Sequence, residues 1–199
     1  MLIRILVFLG TAGLAAPLAA QQAPARLSMV LTAFLADSGV ATRGLPWTTG
    51  SALPVQWATR APVAAEAWAR QKGFTMARAG TVRIKVGTHE PVEMALQLFG
   101  NNAGLQQVII SVNLQESDEL QHGEMRTALA AEGMTLTPLK CDEKKEGASY
   151  GNLVFVAKAP GKTPSGLHEN WDCSMNGCGW SMTLLYRKAD VAPIECYSG

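Results

Sequence analysis

Residues 171–180 read Trp-Asp-Cys-Ser-Met-Asn-Gly-Cys-Gly-Trp, the densest run of chemically capable side chains in the chain. Cys173 and Cys178 there raise three chemistries: a metal centre, a thiol redox pair, or a disulfide staple. Zinc wants paired Cys-x2-Cys ligands or histidines at regular spacing, and neither is present. Thioredoxin-type exchange uses Cys-x-x-Cys opening a helix, whereas four residues separate these two cysteines. The chain holds four cysteines, Cys141, Cys173, Cys178 and Cys196. An even number in an oxidising compartment reads as two disulfides. The expected pairing is Cys173–Cys178, closing a turn through Asn176-Gly177, with Cys141–Cys196 as the second bridge. No metal and no cofactor is expected.

Other catalytic patterns fail on their context. Gly147-Ala148-Ser149-Tyr150-Gly151 has the spacing of a nucleophile elbow, which needs a buried strand before it and a helix after it. Here the charged run 142–146 precedes it and an apolar, strand-like run follows, so a hairpin turn is expected instead. His89-Glu90 and His168-Glu169 begin like zinc-protease helices, but neither has a second histidine four residues on, and Pro91 blocks a helix after the first. One acid–base set survives as the alternative reading: a small periplasmic hydrolase using His168, Glu169 and Asp172.

Compartment follows from the first twenty residues. Arg4, an apolar run over 5–16 and Leu18-Ala19-Ala20 before Gln21 form a secretory signal peptide, residues 1–20, of bacterial style. Residues 21–199 then form one secreted or periplasmic domain, with no later apolar run of the roughly 20 residues a membrane span needs. Residues 1–20 contain one basic residue and no acid, so 16 Lys and Arg face 16 Asp and Glu in the remainder. That balance lacks the basic footprint nucleic acid demands.

The elements that must position these residues are legible in part. Leu27, Val30, Leu31, Phe34 and Leu35 recur at helical spacing over 25–38, with Gly39 as a stop. A second helix is expected over 62–72, opened by Pro62 and supported by Glu66 and Arg70 four apart. Strands are expected over 81–86, 92–99 and 107–114, the last two joined through Asn101-Asn102-Ala103-Gly104. A third helix runs over 117–132 to Gly133, and strands follow over 134–139, 151–158 and 180–187. The fold class is α+β: a mostly antiparallel sheet with about three helices, two of them N-terminal, and two disulfides.

Residues 159–179 show no apolar periodicity and read as a long irregular loop, stapled by its disulfide. A rigid loop presents a binding surface at low entropic cost. Asn170, Trp171 and Asp172 are its candidate contacts, joined by Trp47 and Trp57 from other irregular segments, although three rings closing one core is the favoured reading of the tryptophans. The functional expectation is a non-catalytic binding or accessory domain. Its partner is an envelope component such as a glycan, or a secreted or periplasmic protein, and an inhibitor role fits.

Overall fold

The computed structural model describes residues 23–39, 45–114, 122–141, 149–174, 177–186 and 188–197. The expected signal peptide, the first turn of the expected third helix and the charged run 142–146 lie outside the described residues. The elements in chain order are β1 (Ala25–Arg26), α1 (Leu27–Ala33), β2 (Gln56–Trp57), β3 (Val63–Ala64), α2 (Ala67–Gln71), β4 (Met76–Lys85), β5 (Val92–Asn101), β6 (Gly104–Leu114), α3 (His122–Ala131), β7 (Thr135–Lys140), β8 (Tyr150–Lys158), β9 (Ser165–Ser174), β10 (Gly177–Leu185) and a last helical turn, α4 (Lys188–Val191). The architecture is α+β with a mostly antiparallel sheet.

Two antiparallel meanders, β4-β5-β6 and β7-β8-β9-β10, lie side by side in one sheet, joined where β10 pairs with β6. The outer edge of β4 is covered in series: β3 pairs at Met76–Ala77, β2 at Gly80–Thr81, and β1, the one parallel partner, at Ile84–Lys85. Short pieces of this kind shield an edge that would otherwise offer unpaired amides to another chain.

One face of the sheet carries the main core. Val82, Ile84, Leu96, Ile110, Met182 and Leu167 point to it and are buried, with α1 and α3 packed above. Helix α1 contributes Leu27, Val30 and Leu31, followed directly by Phe34, all fully buried; α3 contributes Met125, Ala128 and Leu129 at helical spacing. The first turn of α1 has no side-chain cap of its own. Instead the Glu132 carboxylate, just past α3, accepts from the Ser28 amide at 3.0 Å, which satisfies one of the orphan donors at the positive end of a helix. Gly133, at φ 91°, takes the left-handed conformation that ends α3, and its amide donates back to the Ala130 carbonyl.

Three expectations are corrected. The first helix is shorter than 25–38, because Ala25 and Arg26 extend to pair with β4. The region 62–72 divides into β3 and a five-residue α2: Val63 and Ala64 gain sheet partners, and Arg70 donates to the Ala65 carbonyl rather than pairing with Glu66. The largest correction concerns 159–179. Residues 165–174 are strand β9 in the middle of the second meander, paired over its length with β8 and β10. Leu167, Glu169 and Trp171 alternate onto the core face at 0 %, 0 % and 2 % exposure. A glutamate in the middle of that series hides its period-two pattern from any apolar count.

Among the described residues one disulfide is formed, Cys141–Cys196, with a Cα–Cα distance of 5.1 Å, where the sequence led to an expectation of two. Cys173 and Cys178 stand directly opposite one another in the β9–β10 hairpin. Gly177 is the first residue of β10, so it is not part of the turn; Met175 and Asn176 lie outside the described residues.

Candidate functional site: the uncovered sheet face

The sheet face away from α1 and α3 differs in kind from the core face. A single row of directly opposite residues crosses it: Asn152, Asn170, Ser181, Ser111, Ala95 and Thr81, on β8, β9, β10, β6, β5 and β4. The equivalent row on the core face reads Leu153, Glu169, Met182, Ile110, Leu96 and Gly80. The contrast follows from the two-residue period of strands. Ser111, Ser181, Asn170, Ala95 and Thr81 are all half-buried, and the adjoining row adds His168, Thr183 and Gln97.

Two arms flank this floor. On the β4 side, Ala69 of α2 and Ala65 just before that helix pack against Phe99, Ala77 and Ile109. A cavity of about 320 Å³ lies beside it, lined among others by Gln97, Phe99, Glu66 and Trp68. Trp68 is 43 % exposed, holds Glu66 through its indole nitrogen at 2.9 Å, and meets Phe99 edge-on at 5.1 Å. On the β8 side the C-terminal segment after α4 crosses the sheet and is clasped by Asn152. The Asn152 amide group donates to the Glu195 carbonyl at 2.8 Å and accepts from the Tyr197 amide at 3.1 Å. The Tyr197 hydroxyl meets Asn170, and Cys196 is bonded to Cys141 at the end of β7.

His168 stands 3.2 Å from the Asn152 amide nitrogen through its Nε2. With Asn152 donating, Nε2 accepts and the ring is the neutral Nδ1–H tautomer. Burial lowers its pKa below the ordinary 6.5, in the same direction.

The proposed acid–base set is not brought together. His168 and Asp172 share the uncovered face, whereas Glu169 points through to the opposite one. There its carboxylate takes Arg126 of α3 at 3.0 Å and the Trp180 indole at 3.0 Å. Glu169 is therefore a buried partner of a helix, with no route to a substrate shared with His168. Among the described residues no group of three or more His, Cys, Asp or Glu is arranged to hold a metal, and no helix is long and apolar enough to cross a membrane.

The binding candidates divide. Asn170 lies on the uncovered face, and Asp172 is exposed at the end of β9 beside Tyr150 and Gly179. Trp171 is buried in the core against Gly151. Trp47 packs on the same core and donates to the Asn101 carbonyl at 3.1 Å. Trp57 lies on β2 under the Arg78 guanidinium, 4.0 Å from its ring. Three tryptophans expected from the sequence as candidate contacts are thus framework. Asn152, Thr183, Ser181 and Ser111 were missed. Asn152 alone left a signal, as the one polar residue inside the apolar run 151–157, where a buried amide must find partners.

No family model, no curated protein and no solved structure matches this chain.

Proposed function

We propose that this chain is a secreted or periplasmic domain that binds rather than catalyses, holding an envelope protein or glycan against the uncovered sheet face. The observation that carries this reading is the row Asn170–Ser181–Ser111–Ala95: short, half-buried side chains on a face that neither long helix covers. A rigid floor of small polar groups orders few rotamers when a partner arrives, which lowers the cost of association. The separation of Glu169 from His168 and Asp172 removes support from the hydrolase alternative.

The reading includes a signal peptide at 1–20 and a second bridge, Cys173–Cys178. The Cys173 amide donates to the Ser149 carbonyl, on the β8 side. Towards β10 the Cys173–Cys178 pair is therefore a non-hydrogen-bonded one, the kind in which opposite Cα atoms approach more closely. An oxidising compartment suits both bridges.

The test is capture from envelope extract with the oxidised protein and with a Ser111→Arg/Ser181→Arg variant. Two arginines on the floor block close approach without entering the core. A specific partner retained by the parent and lost by the variant is the expected result. Equal capture by both moves the site elsewhere, and no specific partner at all counts against binding as the activity.

A further inference from the structure

The uncovered face holds a second, chemically different feature at its other end. The row Val156–Gly166–Leu185 crosses β8, β9 and β10. Glycine in its middle lets α4 approach the sheet closely: a Cβ there would meet Leu185 at 3.2 Å and Val191 at 3.3 Å. Beside this contact Val191 of α4, Ala192 after it and Leu139 of the edge strand β7, 52 % exposed, border a space against the sheet. The result is a recess of about 640 Å³, inside the range of small-molecule sites. Leu139, Val156, Leu185 and Val191 make its lining predominantly apolar.

Among the described residues Lys140 is its one charged lining residue. Its ammonium donates to the Ala192 carbonyl at 3.2 Å and to the Ile194 carbonyl. An ammonium has three donors, and two carbonyls neutralise none of its charge. A cation beside an apolar recess is complementary to one kind of small molecule, an apolar chain ending in an anion. Tyr186 offers no competing polar contact, because its hydroxyl is turned away to the Phe34 carbonyl at 2.9 Å.

We propose that this recess binds a free long-chain carboxylate, its tail along Val156, Leu185 and Val191 and its carboxylate on the Lys140 ammonium. The inference rests on the reading of this chain as a binding domain but uses a surface separate from the Ser111–Ser181 floor. The probe is dodecanoate, titrated calorimetrically into the oxidised full-length protein beside dodecan-1-ol. One dodecanoate per chain is expected, bound at least about tenfold more tightly than the alcohol. Lys140→Met should bring the two to near parity, whereas Lys140→Arg should keep the preference. Leu139→Asp, at a half-exposed position that tolerates the change, should weaken both about tenfold or more. Near-UV circular dichroism checks that each variant is folded. No saturable binding, equal affinity for acid and alcohol in the parent, or indifference to Leu139→Asp overturns the proposal. Ser111→Arg/Ser181→Arg should leave the dodecanoate titration unchanged. Loss of dodecanoate binding with partner capture intact therefore sinks the recess alone, and the reverse sinks the sheet-face reading alone.

Discussion

Arg126 of α3 reaches through the core to place its Nε 3.0 Å from the Glu169 carboxylate on β9, a side chain with no exposure at all. The other carboxylate oxygen takes the Trp180 indole at 3.0 Å. The pair ties the helix layer to the middle of the sheet. Removing one partner of a buried pair leaves the other charge desolvated, at roughly 3–5 kcal/mol. Arg126→Met should therefore destabilise by about that much, while Glu169→Gln, which keeps an acceptor for Trp180, should cost less. The double variant should recover part of the loss. Urea unfolding of the four proteins gives the coupling, and simple additivity would sink the claim that these groups act as a unit.

Gly151 and Trp171 are directly opposite on β8 and β9, and a Cβ on Gly151 would fall 2.5 Å from Trp171 Cζ2. The second glycine of the Gly-x-Ser-x-Gly spacing thus makes room for a buried indole. Gly151→Ala should destabilise by roughly 1–3 kcal/mol through overpacking and alter the near-ultraviolet circular dichroism of tryptophan. An unchanged spectrum and midpoint would mean that the indole has space to retreat.

His168 makes stability depend on pH. Its native pKa lies below 6.5 because of burial, so between that pKa and 6.5 the unfolded chain binds more protons than the native one. Stability then rises with pH across this window, is complete above 6.5, and is withdrawn as pH falls below it. The urea midpoint should drop from about pH 7.5 to about pH 5.5, and His168→Gln should flatten that part of the drop. A variant with the same pH slope as the parent would refute the assignment.

The Cys141–Cys196 bridge spans 55 residues and pins the C-terminal segment over β8. In the chain-entropy model its loss costs about 4 kcal/mol, against about 2 kcal/mol for a Cys173–Cys178 bridge. Cys141→Ser/Cys196→Ser should therefore be the more destabilised double variant, and it should lose amide protection over 190–197. Peptide mapping under non-reducing conditions that joined Cys173 to Cys141 or Cys196 would overturn both pairings.

The sequence by itself determined the elements whose pattern is local. Val82 and Ile84 alternate with Arg83 and Lys85, Trp180, Met182 and Leu184 alternate with Ser181 and Thr183, and both runs are strands. Gly133 ends its helix at φ 91°, a left-handed conformation that glycine takes without a Cβ clash. Cysteine parity likewise led to the expectation of a Cys141–Cys196 bridge. Tertiary structure alone decided the rest. Strand β9 was hidden because its central core-facing residue is a glutamate, neutralised by an arginine 43 positions earlier. Helix α1 takes its cap from Glu132, 104 residues away. The division of 62–72 depended on an edge of β4 that needed partners. A polar side chain counts as outside in a sequence and turns inward only when a distant partner offsets its desolvation, and that partner is set by the fold.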